Sequence, residues 1–338
     1  MLRLLVLLTA LCGCCLQFPL SHAASGRRPT LSVERAKNGA AVLEAFAATT
    51  AATRASVVAF ERAGAQRALG TVVDQTGLTL TKASEVGTGL LQCRLPGGEV
   101  VDALVLATDE DSDLALVKVA ATQLKPITWS TNEASIGHWA VTPGIGLLPE
   151  AVGVLSAAPR RIRAKRAVIG VLPDFESSAA LIKAVQPGYG AEKAGLVKGD
   201  VVLSVNGARV TNSDQLVNTL RQYRVGQTVH LGVRRAEREF EVEVLMGAPR
   251  PPRGDRGSDR QDRINRLGTE ISARAEGFAL ALQHDTVLQP WQCGGPLVDV
   301  DGRTLGINIA RAGRIASYAL PTRLIQKVLS ELRRRANL

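Results

Sequence analysis

The stretch QHDTVLQPWQCGGPLV, residues 283–298, sets a cysteine on a tight turn. Pro290 opens the turn, and Gly294 and Gly295 let the backbone bend with no Cβ in the way. Cys293 stands directly before those glycines, and cysteine is a competent nucleophile once its thiol ionises. Outward from this loop the chain reads as short β-runs broken by turns. Segments 56–61, 68–74, 78–82, 90–95 and 100–108 are predicted strands, and 114–119 and 139–143 continue them. Gly77, Pro96-Gly97-Gly98 and residues 109–112 supply the turns. Short strands at such close spacing argue for a barrel or sandwich, hence a mainly β fold. Two helices frame it, one over the Ala-, Leu- and Glu-rich residues 36–50 and an amphipathic one over 321–335.

Residues 166–247 read as a separable α+β unit. It opens on the apolar run Val168-Ile169-Gly170-Val171 and continues through a strand at 181–185, a Gly-rich turn, Gly199-Asp200 and a strand at 201–205. After the turn Asn206-Gly207 comes a helix capped by Asn212 or Ser213, with Leu216, Val217 and Leu220 on one face. Strands at 229–234 and 240–245 close the unit. The next stretch, APRPPRGDRGSDRQDR at 248–263, has almost no apolar content. It cannot repay the entropy of ordering, which predicts a flexible basic linker.

At 338 residues the chain has room for about two domains, and 46% apolar content suffices for packed cores. Residues 1–25 have the form of an export signal: Arg3, an apolar run at 4–11, and Ser21-His22-Ala23 as a small-residue cleavage site. Leu11-Cys12-Gly13-Cys14 offers a rival lipoprotein reading, with Cys14 acylated. Either way the expectation is an exported protein of the periplasm or cell envelope. The net charge of +10 is concentrated in basic runs at 160–166, 250–263 and 333–335. Such runs attract anionic surfaces, but no aromatics interleave them, so nucleic-acid binding is not expected. Three of the five cysteines fall in the signal, leaving Cys93 and Cys293. No His/Cys cluster has zinc spacing, and no cofactor is expected.

Four segments in order resemble the double-barrel endopeptidase domain of the HtrA/Deg family. These are residues 68–74 (ALGTVVD), residues 80–86 (LTKASEV, where the family has T-N-A-H-V-V), residues 111–119 (DSDLALVKV) and the Cys293 loop with its continuation to Pro321. The middle unit resembles a PDZ domain, most closely at Gly195-Leu196-Val197-Lys198-Gly199-Asp200-Val201-Val202 and Ser204-Val205-Asn206-Gly207. The resemblance implies a trypsin-like double β-barrel with an inserted PDZ domain. Its parts would be 50–165, the PDZ domain at 166–247, the linker at 248–263 and the second part at 264–338. The insertion is a departure, because the family usually carries its PDZ domain after the endopeptidase domain. It also implies that Cys93 and Cys293 are separate thiols. Val168, Ile169, Gly170 and Val171 would hold a peptide's terminal carboxylate while its strand pairs with a sheet edge. The partner would be a peptide or an unfolded protein. The family often forms trimers, so a homo-oligomer is a further expectation of the resemblance, although no particular residue here carries it over.

The same resemblance assigns catalytic positions, and the chain departs from the family's pattern at the nucleophile, the base and the oxyanion pocket. Cys293 takes the nucleophile position, Asp113 that of the orienting acid, and Ser84 that of the base. Serine cannot accept a proton near neutral pH. Of the four histidines, only His284 lies near the nucleophile in sequence. Trp291 replaces the glycine whose bend shapes the oxyanion pocket, and a bulky residue resists positive φ. Gly294 and Gly295 remain and suit turn maintenance. The expectation is a peptide-binding protein with a non-cutting endopeptidase domain. The rivals are an active endopeptidase using Cys293 and a redox-sensitive protein using the same thiol.

Overall fold

The computed structural model describes residues 32–130, 135–164, 166–249 and 270–338. The export signal expected at 1–25 and residues 250–263 of the expected linker lie outside the described residues. The helix expected over 36–50 is two short ones, α1 (Ala40–Ala45) and α2 (Ala47–Arg54). Phe46 breaks them at φ −103° and ψ 5°, because its ring turns to pack on Trp139 with centroids 4.9 Å apart.

The first barrel closes from β1 (Val57–Arg62), β2 (Ala65–Val72), β3 (Leu78–Lys82), β4 (Leu90–Arg94), β5 (Val100–Asp109) and β6 (Leu114–Val119), in the order β1-β2-β3-β6-β5-β4. A single helical turn, α3 (Ala83–Val86), follows β3. Every residue of β3 is buried, whereas β4 alternates as a half-exposed strand does. The second barrel begins with β7 (Trp139–Thr142) and β8 (Ala151–Ile162). The chain then leaves the barrel for the α+β unit.

That unit has two sheets. One pairs β9 (Val171–Pro173) with β10 (Ile182–Val185). The other has β11 (Val201–Val205), β12 (Ala208–Arg209), β13 (Thr228–Arg235) and β14 (Arg238–Leu245) in the order β12-β11-β13-β14. The short α4 (Gly190–Lys193) and α5 (Ser213–Leu220) cover them. Asn212 is the cap of α5, its side-chain oxygen accepting from the Gln215 amide at 2.9 Å. Ile169, Ile182, Val202, Leu216, Leu231 and Val244 are buried in one continuous core.

The chain re-enters the second barrel with β15 (Phe278–His284), β16 (Pro296–Val298), β17 (Thr304–Gly313) and β18 (Ala316–Pro321). They close with β7 and β8 in the order β15-β18-β17-β16-β7-β8. The last helix, α6 (Thr322–Arg335), buries Ile325, Val328, Leu329 and Leu332 at helical spacing. These share a core cluster with Leu78 and Leu114 of the first barrel and Ile307 and Leu320 of the second. The helix therefore ties the barrels together, and each such leucine contributes about 1.5–3 kcal/mol by burial.

Candidate functional site

The site lies where β3, the turn before β6, the Cys293 loop and the far end of β17 meet. Asp109 shapes the turn, its carboxylate accepting the Ser112 amide at 2.9 Å and hydroxyl at 2.6 Å. Asp113 follows with φ 60°, a left-handed conformation that aspartate tolerates better than most residues. Its carboxylate accepts the Ser84 amide and hydroxyl, each at 2.9 Å. The structure thus brings the base and orienting-acid positions together. It also adds a residue that the sequence did not single out: Lys82 forms a fully buried ion pair with Asp113 and donates to the Arg274 carbonyl at 3.0 Å.

Cys293 touches neither Ser84 nor Asp113 through a hydrogen bond. Its sulfur lies 4.0 Å from the Ser272 hydroxyl and 3.9 Å from the Gln289 carbonyl. The thiol is wholly buried, and burial pushes its pKa up to about 11 against the weaker pull of the Lys82 charge. Cys93, the other free thiol, is pushed up to about 12 by burial in the first barrel. No described histidine approaches Cys293. His284 is sealed inside the second barrel, with Nδ1 2.6 Å from the Thr286 hydroxyl, and burial lowers its pKa to about 3. It is a neutral strand histidine. His138 is exposed at the approach to β7, and His230 sits on β13 beside Glu243.

The loop itself lacks a glycine-like bend at Trp291. Trp291 is not among the residues with positive φ. Residues Pro290–Gln292 instead wind into one 3-10 turn, which absorbs the bulky residue and leaves its ring 40% exposed. The turn commits the amides that an oxyanion would need. The Gln292 amide donates to the Gln289 carbonyl at 3.0 Å, Cys293 to Pro290 at 3.1 Å, and Gly294 to Asn308 at 2.7 Å. Gly294 has φ 95°, and a Cβ there would come within 2.0 Å of the Leu69 carbonyl. The Leu69 amide in turn donates to the Cys293 carbonyl at 2.9 Å, and the Thr71 hydroxyl to the Gly294 carbonyl at 3.0 Å. A Cβ on Gly295 would meet only the Leu69 side chain, at 3.1 Å. Both glycines therefore let the Cys293 loop lie flat against β2 of the other barrel.

Behind the loop Arg311 is 2% exposed. Its guanidinium donates to the Leu288 carbonyl at 3.0 Å and the Arg314 carbonyl at 2.8 Å, and Nε has no partner. This side chain fills the space between the loop before Cys293 and the turn after β17. The sequence carried a hint of Lys82, an ionisable residue ending a strand of apolar and hydroxyl residues. It carried none of Arg311 or Ser272.

In the α+β unit, Val168 exchanges backbone bonds with Gly247 at 2.9 and 2.8 Å. Ile169 is buried, and its carbonyl accepts from the Ala191 amide. Gly170 has φ 84°, and a Cβ there would strike Tyr189 at 2.1 Å. Val171 starts β9, which among the described residues pairs only with β10 and so leaves one edge unpaired. The Ser213 hydroxyl donates to the Asp174 carbonyl at 2.7 Å, which places the start of α5 beside that edge. Leu172 is 49% exposed on β9, and Pro173 limits edge pairing because it has no amide proton.

Residues 167–246 match the PDZ domain family. The chain is 38% identical over 145 residues to the Marinomonas sp. (strain MWYL1) protein named "Probable periplasmic serine endoprotease DegP-like", covering 42% of this chain and 31% of that one. It is 28% identical over 135 residues to the periplasmic pH-dependent serine endoprotease DegQ of Escherichia coli (strain K12), covering 40% and 26%. The chain thus spans less than a third of the length of these relatives. A solved serine endoprotease from Yersinia pestis aligns at a TM-score of 0.29 and 18% identity, over 61% of this chain and 98% of that one. Two closed barrels with a PDZ domain set between strands of the second define a mainly β, PDZ-bearing double-barrel protein. Beyond the PDZ domain, the chain is similar to these periplasmic endoproteases over part of its length.

Proposed function

We propose that this is an exported HtrA/Deg protein that binds peptide ends or exposed strands through its PDZ domain and does not cut them. One observation carries the reading. The nucleophile position is held by Cys293, a buried thiol with no imidazole in reach among the described residues and with its own amide engaged by Pro290. Acyl transfer needs an activated nucleophile, a base and a free oxyanion donor, and losing one such donor costs about 3–4 kcal/mol of transition-state stabilisation. Asp113 and Ser84 then hold the barrel together with Lys82, and Gly294 and Gly295 seat the loop. The domain partition given above from resemblance belongs to the same proposal. Export to the periplasm or envelope is supported by the names of the relatives and by residues 1–25, and trimer formation is left to measurement.

On the PDZ side, the free edge of β9 and the start of α5 form the groove, with Ile169, Gly170 and Val171 at its closed end. Two assays test the proposal. Purified protein incubated with unfolded casein should yield no fragments. Fragments that vanish in Cys293→Ala would establish the active-endopeptidase reading instead. Titrating peptides with free C-termini by calorimetry should show binding that Leu172→Glu on the exposed β9 edge weakens. Binding to neither wild type nor variant would remove the peptide-binding half.

A further inference from the structure

The sulfur of Cys293 is buried by the chain itself. Residues 270–277 lead into β15 and lie across the site without forming a strand. Ser272, Ala273 and Arg274 are each fastened. The Ser272 amide donates to the Arg311 carbonyl at 3.0 Å, and the Arg311 amide returns a bond to the Ser272 hydroxyl at 2.9 Å. That hydroxyl is the one 4.0 Å from the Cys293 sulfur. The Ala273 amide donates to the Glu85 carboxylate, and Lys82 donates to the Arg274 carbonyl. The Arg274 side chain lies over the Phe278 ring, 5.0 Å from its centroid, and donates to the carbonyls of Glu110 and of Asp111, the latter at 2.9 Å. The PDZ domain grips the same turn. Arg224 donates to the Glu110 carbonyl and to the Asp111 carboxylate, both at 2.7 Å. On the outer side of the segment is a cleft of about 1410 Å³ whose walls include Ser84, Asp113, Ser272 and Arg224, but not Cys293.

We propose that residues 270–277 are a built-in strap that occupies the groove beside Cys293, clasped by Arg274 to the Glu110–Asp111 turn that the PDZ domain also holds. The groove opens only when the strap lifts into the adjoining cleft. The bonds that hold it are local, so its release is a sub-global event and does not require either barrel to unfold. Because Arg224 and Arg274 share one turn, a PDZ domain pulled away from that turn loosens the strap. The proposal holds whether or not the opened groove performs chemistry.

The two free thiols supply the test. Cys93 is buried in the core of the first barrel, so it reports global unfolding, whereas Cys293 also reports strap opening. The full chain is exposed to a thiol alkylating reagent under native conditions, and labelling at each cysteine is followed by peptide mass spectrometry. Arg274→Ala should speed labelling of Cys293 by about tenfold relative to Cys93, the scale of losing a set of charge-assisted hydrogen bonds. Arg224→Ala should act in the same direction more weakly. Equal labelling rates at the two cysteines in every variant would overturn the strap, because Cys293 would then be reached only by unfolding. Fast labelling of Cys293 in the unchanged protein would overturn it too. Ser272→Cys serves if the arginine variants do not fold. With oxidised glutathione as the two-electron acceptor, the new thiol should close a disulfide to Cys293 in the folded protein. A folded Ser272→Cys protein that forms no such bond refutes the placement.

Discussion

Replacing Lys82 with methionine keeps most of the side chain's volume and removes its charge. The wild-type pair is 0% and 4% exposed at Lys82 and Asp113, so water offers no substitute partner. Asp113 would keep only the Ser84 amide and hydroxyl. Removing one member of a buried pair typically destabilises by about 3–5 kcal/mol, because the other charge is left uncompensated. Asp113→Asn should cost a similar amount by stranding the ammonium against the Arg274 carbonyl alone. The double variant buries no charge, so its loss should fall short of the summed single losses by about 2 kcal/mol or more. Tryptophan fluorescence during urea unfolding suits the measurement. The three tryptophans, Trp129, Trp139 and Trp291, all lie outside the PDZ domain, so the signal follows the barrels. Single losses below about 1 kcal/mol, or additive ones, would refute the reasoning, since they would mean the pair is solvated and the site stands open.

Gly294→Ala should destabilise the barrels by about 3 kcal/mol or more, combining left-handed strain with a backbone clash, while Gly295→Ala displaces only the Leu69 side chain and costs about 1 kcal/mol. Equal midpoint shifts in urea would count against the seam between the Cys293 loop and β2. His284 carries a folded-state pKa of about 3 against an ordinary value of 6.5. The unfolded chain therefore binds the extra proton first, and stability is lost as pH falls from 6.5 toward 3; His284→Gln should flatten that slope in acid titrations. Cys293 has the opposite linkage. Its pKa is raised to about 11 from 9.0, so the unfolded thiol ionises first and stability drops as pH climbs through that window, a drop that Cys293→Ala should reduce.

Most of the first barrel was legible because its strands are short, apolar and separated by turn residues. Strands β3 and β6 begin and end where the pattern puts them, at 78–82 and 114–119. Strand β8 was missed because its last third reads as part of a basic run. In the barrel Arg160 and Arg161 face solvent, while Ile162 turns inward to the core. Ser84, Asp113 and Cys293 were singled out only through the family resemblance, and the structure brings Ser84 and Asp113 into contact. Arg311 and Ser272 could not be singled out, because their roles arise from contacts between distant segments, and nothing local marks an arginine as destined for burial. The 3-10 turn at Pro290–Gln292 was likewise hidden. The sequence showed that Trp291 resists a glycine-like bend, but not which other conformation the loop would take.

On the proposed reading, placing histidine and serine at the two positions that the resemblance assigns to base and nucleophile should not produce cutting. In Ser84→His with Cys293→Ser, an imidazole would stand on α3 beside Asp113, and a hydroxyl would replace the thiol. Three obstacles would remain. The Lys82 ammonium already occupies one Asp113 oxygen, so the carboxylate cannot be given wholly to orienting an imidazole. The residue-293 amide is engaged by the Pro290 carbonyl and offers nothing to an oxyanion. Arg311 and the strap fill the space on either side of the nucleophile. These obstacles act together, since residues of a catalytic unit contribute jointly and not additively. Casein incubated with the double variant should therefore stay intact, as it should with the unchanged chain. Adding Arg274→Ala and Trp291→Gly would act on the strap and on the turn before residue 293, leaving Lys82 and Arg311 in place. Digestion by the double variant alone would show that the loop and strap are no barrier, and that the residues at 84 and 293 together were the whole of the obstacle.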